Sequence, residues 1–298
     1  MFFYYRKISY LASVLRLECA IALPDLQVKY CGATCTLLSP LCYNSVMLRK
    51  SMLNIAHRGF RSRYPENTML AFKKAVEAGC DGIEFDVHLS KDGEAIIIHD
   101  ETVDRTTDGT GLVGQKTYRE LKALNAAKPH PETIDFISIP SLREYFEYIA
   151  TQPNIISNIE LKTGVFVYEG IEKVVYKLMK EYELIERCIV SSFNHESVLR
   201  MKKIDSTVTC GLLVDSWQIH PEQYVRNLGI ECYHPSAYCV TSELVAALHS
   251  AGIRINPWFG GIQSDYRQLI EMGVDSLITD YPDRITALLK DLRTEGAD

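Results

Sequence analysis

The chain has 298 residues, 47% of them hydrophobic, so it is long enough to bury the core of one large domain. Its net charge of −6 lacks the basic surplus with which proteins bind nucleic-acid backbones, so we expect no nucleic acid as a partner. Nowhere do ~18 apolar residues follow one another without a charge, so we expect no stable membrane insertion. These properties leave the oligomeric state open.

The cysteines indicate a reducing compartment. Nine is an odd number, and Cys31 and Cys35 lack a second pair at zinc-ribbon spacing. Five others lie inside apolar helix or strand patterns: Cys80, Cys188, Cys210, Cys232 and Cys239. We interpret these as reduced packing residues and expect a cytoplasmic protein.

The first fifty residues differ in composition from the rest, with six basic and two acidic side chains in a chain whose net charge is −6. Their apolar stretch is interrupted by Arg16 and Glu18, which argues against a secretion signal. Met52 stands just before the first predicted strand. We therefore expect residues 1–51 to be an extension, disordered or outside the working protein, and residues 52–298 to be the functional domain.

From Leu53 onward, short β-branched runs alternate with longer helical patterns, which predicts parallel βα units. The predicted strands are Leu53–Ala56, Gly82–Leu89, Ile155–Leu161, Cys188–Ser191, Val208–Leu213, Glu231–His234, Ile253–Trp258 and Ser276–Thr279, with a short extra strand at Glu94–Ile98. The predicted helices are Asn67–Ala78, Ser141–Ala150, Tyr168–Tyr182, His195–Ile204, Pro221–Leu228, Ser242–Ala251, Asp265–Met272 and Asp283–Leu292.

Eight such units over about 240 residues predict an α/β fold, a closed (β/α)8 TIM barrel. A doubly wound sheet would have a glycine-rich turn after its first strand, and no G-x-G-x-x-G stands there. One long connection, residues 101–140, is rich in turn residues. We expect this inserted loop region after the second strand to lie over the barrel mouth, where TIM-barrel active sites are found.

Carboxylates on two predicted strands indicate a metal site. Glu84 and Asp86 are two positions apart, so both side chains leave the same face of the strand. Glu160 and Lys162 repeat this spacing on the next strand. Carboxylates this close are costly to bury unless a cation lies between them, and three oxygen ligands suit one divalent ion, Ca²⁺ or Mg²⁺. The alternative is a charge network that closes the barrel end.

Two histidines follow strands and face the same mouth. His57 directly follows the first strand, and His99 follows the short extra strand. Because imidazole titrates near neutral pH, one histidine can accept a proton while the other donates one. Arg58 offers a planar fork for two phosphate oxygens, and Lys162 adds a point charge. These side chains fit a phosphate-containing substrate.

Several neighbouring residues have two interpretations. Asn67 or Thr68 is predicted to cap the first helix, and Glu66 to hold Arg58 or a ligand. His88 either continues the Glu84 and Asp86 face or lies on the surface beyond the strand. Trp258 either forms an apolar wall of the site or packs in the core. The remaining histidines are interpreted as structural: His130, His195, His220, His234 and His249.

From about residue 53 the chain resembles the glycerophosphodiester phosphodiesterase family, and its small bacterial cytoplasmic members in particular. The motifs in common are His57-Arg58-Gly59, Pro65-Glu-Asn-Thr68-x-x-Ala71-Phe72, Glu84-x-Asp86, Lys91-Asp92-Gly93, His99-Asp100, Glu160-x-Lys162, Ser191-Ser-Phe193 and Gly273-Val-Asp-x-x-Ile-Thr-Asp280-x-Pro282.

The resemblance implies a TIM barrel, a divalent metal on Glu84, Asp86 and Glu160, and acid/base roles for His57 and His99. It also aligns Arg58 and Lys162 with phosphate-binding positions. One motif departs from the family: Trp258 is followed by Phe259-Gly260-Gly261, where the family commonly has Thr-x-Asn.

The leading hypothesis is hydrolysis of a glycerophosphodiester to sn-glycerol 3-phosphate and an alcohol, within phospholipid and glycerol metabolism. One alternative is lysophospholipase-D-like cleavage, which needs an apolar surface at the mouth that the loop sequences do not obviously provide. The other is a barrel that binds a phosphate ligand without turnover.

Overall fold

The computed structural model describes residues 52–128, 136–259 and 265–295. The strands in these ranges are β1 (Leu53–His57), β2 (Gly82–Leu89), β3 (Ala95–Ile97), β4 (Ile156–Leu161), β5 (Cys188–Ser192), β6 (Thr209–Val214), β7 (Cys232–Pro235), β8 (Arg254–Ile255) and β9 (Ser276–Thr279). The α-helices are α1 (Met69–Glu77), α2 (Tyr118–Lys122), α3 (Leu142–Ile149), α4 (Ile171–Glu181), α5 (His195–Ile204), α6 (Pro221–Leu228), α7 (Ser242–Ser250), α8 (Tyr266–Met272) and α9 (Pro282–Glu295).

Eight parallel strands form a barrel in the order β8-β7-β6-β5-β4-β2-β1-β9. The circle closes between β8 and β9 through a parallel bridge of Trp258 with Ile278, whose N–H donates to the carbonyl of Pro257 at 3.0 Å. Strand β8 is shorter than the predicted strand, but hydrogen bonds to β7 continue beyond it, because Asn256 and Trp258 donate to carbonyls of β7 at 2.9 and 3.0 Å. The helices surround the strands, so the predicted TIM barrel is confirmed.

Local sequence signals set where the helices begin. The side chain of Thr68 accepts a hydrogen bond from the N–H of Ala71, which starts α1. Ser141 and Glu144 form a reciprocal capping box at the start of α3. Of the two residues predicted to cap α1, Thr68 is therefore the cap and Asn67 is not.

The connection after β2 has more structure than its turn-rich sequence predicted. Strand β3 pairs antiparallel with β2, so the chain leaves the barrel mouth and returns to it. Helix α2 was not predicted; it forms because Thr117 and Glu120 make a capping box. Beneath these segments lies a small separate core of Ile96, Ile98, Val103, Val113, Leu121, Ala126 and Ile139.

The five cysteines predicted to be packing residues are buried, and no disulfide joins them in the described ranges. None of the helices in the described part of the chain is long and apolar enough to cross a membrane. The predicted extension, residues 1–51, and His130 lie outside the described residues.

Candidate active site

A cavity of about 450 Å³ opens at the end of the barrel where the parallel strands terminate. It is lined by His57, Arg58, Arg61, Glu84, His99, Asp100, Arg105, Asn158, Glu160, Phe193, Leu213, Trp258, Phe259, Ile278 and Asp280. Charged side chains thus face a wall of apolar ones, and the volume lies in the ~300–1,000 Å³ range of small-molecule sites.

Three buried carboxylates meet at the bottom of this mouth. Glu84 and Asp86 come from β2 and Glu160 from the adjacent β4, where Asp86 and Glu160 are direct partners in the sheet register. Burial raises the pKa of Glu84 well above its ordinary value, and the charges of Asp86 and Glu160 raise it further. Burial also raises the pKa of Glu160 to about 7, although Lys162 opposes that shift. The cluster holds more negative charge than its surroundings neutralise.

This cluster fits a divalent cation. One carboxylate oxygen each from Glu84, Asp86 and Glu160 lies within 4.8 Å of the others, and all three residues are buried. Among the described residues, Oδ1 of Asp86 has no hydrogen-bond partner, and a buried unpaired carboxylate oxygen is costly. A hard cation with oxygen ligands would satisfy that atom and offset the mutual repulsion.

Two cations also border the carboxylates. The Nε of Arg58 is 3.4 Å from Asp86, and the Nζ of Lys162 donates to Glu160 at 2.9 Å. Burial alone would raise the pKa of Asp86, but the charges of Arg58 and Lys162 outweigh it and lower that pKa. The backbone of Arg58 is left-handed, with φ of 52°, and its N–H donates to Glu84 at 3.1 Å. The turn after β1 therefore contributes both main-chain and side-chain groups.

His57 lies at the end of β1 and is held by Asp280, the residue that follows β9. Its Nδ1 is 2.6 Å from Oδ1 of Asp280, and its Nε2 is 3.8 Å from Glu84. Burial and the adjacent charge of Arg58 lower the pKa of His57, while the hydrogen bond to Asp280 opposes the shift. An anion at Nδ1 favours the tautomer with its proton there, which leaves Nε2 as the basic atom.

His99 follows the returning strand β3 and has its own aspartate. Its Nδ1 is 2.6 Å from Asp100, which in turn accepts a hydrogen bond of 2.6 Å from Nε of Arg105. Burial lowers the pKa of His99, and the anionic Asp86 opposes this. The two predicted acid/base histidines therefore line one cavity, each with an aspartate at Nδ1.

Glu66 links Arg58, beside the carboxylate cluster, to Arg105, beside Asp100. It accepts hydrogen bonds from Arg58 at 2.9 Å and from both terminal nitrogens of Arg105, at 2.7 and 3.0 Å. Burial would raise the pKa of Glu66, but these guanidinium groups, Arg105 foremost, hold it at about 2. Glu66 thus holds Arg58, one of the two arrangements predicted for it.

For each of two further residues, Asn67 and His88, the structure rules out one of the predicted alternatives. Asn67 donates from its side chain to Asp86 at 2.8 Å, so it orients a member of the carboxylate cluster. His88 is buried within β2, where Tyr168 contacts Nδ1 at 3.0 Å and the carbonyl of His99 contacts Nε2 at 3.1 Å. A surface position for His88 is therefore wrong, because the β2–β3 hairpin covers it.

Trp258 combines its two predicted roles. It lines the cavity, and its indole N–H donates to the carbonyl of His234 at 3.1 Å. The ring of Phe193 packs edge-on against it, with 5.7 Å between ring centroids.

Residues 57–284 match the sequence model of the glycerophosphoryl diester phosphodiesterase family. The chain belongs to this family. A glycerophosphodiester phosphodiesterase from Caldanaerobacter subterraneus subsp. tengcongensis is 41% identical over 238 residues, which cover 80% of this chain and 98% of that protein.

Two solved structures of similar proteins agree with this membership. An Oleispira antarctica phosphodiesterase in complex with the product sn-glycerol-3-phosphate is 29% identical, with a TM-score of 0.70 over 80% of this chain and 96% of its own. A crystal structure from Silicibacter pomeroyi, at 24% identity, has the same fold, with a TM-score of 0.74 over 83% of this chain and 98% of its own. The predicted family is therefore confirmed.

Sequence reasoning missed the groups that hold the histidines. Asp280 stood inside a motif of the resemblance without a role, and Arg61 and Arg105 were not singled out. Arg61 lies 3.5 Å from His57 and 3.6 Å from Asp280. Their sequence signal is weak, because charged residues in loops are common on any surface.

Proposed function

We propose that this protein hydrolyses glycerophosphodiesters to sn-glycerol 3-phosphate and an alcohol, with His57 and His99 as the acid/base pair. The observation that carries this proposal is the pair of histidines, each with Nδ1 2.6 Å from an aspartate, on one cavity with the carboxylate cluster. Family membership and the product in the Oleispira antarctica neighbour support the same reaction.

We propose Glu84, Asp86 and Glu160 as ligands of one divalent ion, Ca²⁺ or Mg²⁺. When bound, the ion would offset the negative charge of the phosphodiester and of the attacking oxygen. Arg58 and Lys162 would bind phosphate oxygens, since both border this cluster. Glu66 would orient Arg58, and Trp258 would form part of the apolar wall opposite.

The two histidines would divide the proton transfers. One accepts the proton of the attacking oxygen and the other protonates the oxygen of the leaving alcohol. Asp280 and Asp100 hold the rings so that Nε2 is the working atom of each. Burial lowers the pKa of both histidines, which favours the neutral imidazole in each.

The test replaces each histidine singly. His57→Ala and His99→Ala should each lower kcat by roughly 10²–10⁴-fold with folding retained. A diester whose leaving group is very acidic needs no proton donor, so it should restore turnover in only one of the variants. That variant identifies the acid.

The control is a third His–Asp pair, at the opposite end of the barrel. His249 contacts Asp275 at 2.9 Å, yet neither residue lines the cavity, so His249→Ala should turn over normally. If both catalytic variants stay active on unactivated diesters, the assignment is wrong. Binding of glycerophosphodiesters without any release of sn-glycerol 3-phosphate would instead favour a phosphate-binding barrel.

We also propose a cytoplasmic location, supported by the five buried thiols. Nucleic acid is not proposed as a partner, since the net charge is −6.

A further inference from the structure

A second cavity adjoins the active site. It has a volume of about 420 Å³, and Phe193 and Leu213 line both cavities. Its other walls come mainly from the end of β6, the segment after it, the start of α6 and β7: Val214, Ile219, Pro221, Tyr224 and Tyr233. This volume is also in the ~300–1,000 Å³ range of ligand sites, and the shared residues place the two cavities side by side.

The polar groups in this second cavity contact one another. His195 has Tyr224 at Nδ1, 3.0 Å away, and the carbonyl of Leu213 at Nε2, 3.1 Å away. Asp215 accepts a hydrogen bond from Tyr238 at 3.2 Å. The walls therefore present both carbon and polar surface, with carbon the larger share.

Exposed apolar side chains stand at the same mouth as the second cavity, and three of them line it: Phe193, Ile219 and Tyr224. In the described ranges, the exposed large hydrophobic side chains other than Phe136 all follow strands β4 to β7 at the mouth: Val165, Phe166, Val167, Phe193, Trp217, Ile219, Tyr224 and Tyr238. Trp217 is 63% exposed and Ile219 is 91% exposed. Clustered exposed apolar side chains mark binding surfaces. The loop sequences did not indicate this surface; it arises because the barrel brings four loops together.

We propose that the second cavity binds an apolar chain carried by the leaving alcohol, so that the preferred substrates are glycerophosphodiesters with an alkyl- or acyl-bearing alcohol. This inference rests on the proposed function. Glycerol and phosphate lie among the charged groups, and the chain passes Phe193 into the second cavity. Hydrolysis breaks the bond from phosphorus to the alcohol oxygen; water supplies the new oxygen on phosphorus, and its proton leaves with the alcohol.

A quaternary ammonium group is the competing occupant, because Phe193, Tyr224 and Tyr233 offer aromatic rings near Asp215. The aliphatic side chains of the lining favour the chain, since a small cation gains little from them: Leu213, Val214, Ile219 and Pro221. A glutamate introduced into the cavity should weaken binding of an apolar chain and strengthen binding of a quaternary ammonium group. One variant therefore distinguishes the two occupants.

The experiment compares diesters of sn-glycerol 3-phosphate with ethanol, butanol, hexanol and octanol, each kept below its aggregation concentration, and with choline. We expect kcat/KM to rise along the alkyl series by up to about fourfold per methylene, which is ~0.8 kcal/mol per buried CH₂ converted at 1.36 kcal/mol per tenfold. Ile219→Glu should lower the value for the octyl diester at least tenfold and leave the ethyl diester within twofold.

Val165→Glu is the matched control, since Val165 is 68% exposed in the segment after β4 but lines neither cavity. It should leave the whole series unchanged. A flat alkyl series overturns the proposal, and so does an equal loss in Val165→Glu, which would indicate a general surface effect. A preference for the choline diester that increases in Ile219→Glu would assign the cavity to a cation instead.

A binding measurement separates this inference from the proposed function. Octyl phosphate and ethyl phosphate, titrated calorimetrically into the protein, report on the cavity without turnover. Octyl phosphate should bind at least tenfold more tightly, and Ile219→Glu should remove that difference. If no diester releases sn-glycerol 3-phosphate, the proposed function fails, while this titration still supports or overturns the apolar subsite.

Discussion

Asp280 lies 2.6 Å from Nδ1 of His57, although 223 positions separate the two residues in the chain. They meet because β1 and β9 are neighbours in the closed barrel, with Ala56 opposite Thr279 in the register. Burial would raise the pKa of Asp280, but the hydrogen bond from His57 outweighs it and lowers that pKa. The carboxylate is therefore an anion at neutral pH and fixes the tautomer of the ring.

Asp280→Asn should lower kcat roughly 10²–10⁴-fold, because the amide no longer holds the working tautomer of His57. It should also shift the pH profile. Asp280 raises the pKa of His57 against burial and Arg58, so its removal lowers that pKa further. The limb of the pH profile that reflects the titration of His57 should move to lower pH, whether His57 acts as the acid or as the base.

The measurement is kcat and kcat/KM against pH for both proteins. Asp283→Asn serves as the control, since Asp283 pairs with the exposed Arg63 at 2.8 Å and does not line the cavity. An unmoved limb in Asp280→Asn would show that the aspartate does not tune His57.

Arg105 is predicted to position His99 through Asp100. Arg105→Ala should lower kcat about 10–100-fold, the usual effect of removing a group that orients a functional residue. Lysine cannot form the paired hydrogen bonds to Asp100 and Glu66, so Arg105→Lys should recover little of the loss. Added guanidinium ion should restore activity to the alanine variant.

The comparison variant is Arg143→Ala, which removes a similarly exposed arginine that pairs with Glu181 on the helical surface. It should keep full turnover. If guanidinium fails to restore Arg105→Ala while the protein stays folded, the positioning role is wrong.

Removal of the proposed metal should abolish activity, because the three carboxylates would then repel one another and the substrate. Asp86→Asn and Glu160→Gln should each weaken Ca²⁺ or Mg²⁺ binding by more than about tenfold in calorimetric titrations. Glu172→Gln is the matched control variant. Glu172 lies on α4 and is also buried, but its carboxylate pairs with Arg200 at 2.9 Å, away from the cluster. Full turnover in excess EDTA would contradict the metal site.

A chain that starts at Met52 is predicted to fold and turn over normally, because all eight barrel strands and every proposed site residue lie after that position. The measurement compares thermal unfolding and kcat with those of the full chain. Aggregation or loss of activity in the shortened chain would show that residues 1–51 belong to the working protein.

The sequence by itself determined most of the strands and helices and most of the residues proposed for the site. Strand periodicity places alternate side chains on one face, so the spacing of Glu84 and Asp86 was enough to bring them to one side of β2. The position of His57 just after a β-branched run was enough to put it at a strand end. These are local relationships, set by backbone geometry within one element.

The groups that hold the histidines were decided only by the tertiary structure. Asp280 reaches His57 through barrel closure, and Arg105 reaches Glu66 across 39 positions of chain. The sequence left open whether His88 lies on the surface, and only the hairpin that covers it decided against that position. No local pattern encodes such pairs, because each partner alone is an ordinary loop or strand residue.

The apolar subsite shows the same division most clearly. Phe193, Leu213, Ile219 and Tyr233 come from three strands and their loops, and each one alone is compatible with core or surface. Backbone preferences and alternation specify where a strand starts and which face it buries. They do not specify which loops become neighbours, because that depends on closing all eight strands into one barrel, and cavities form between loops only after closure.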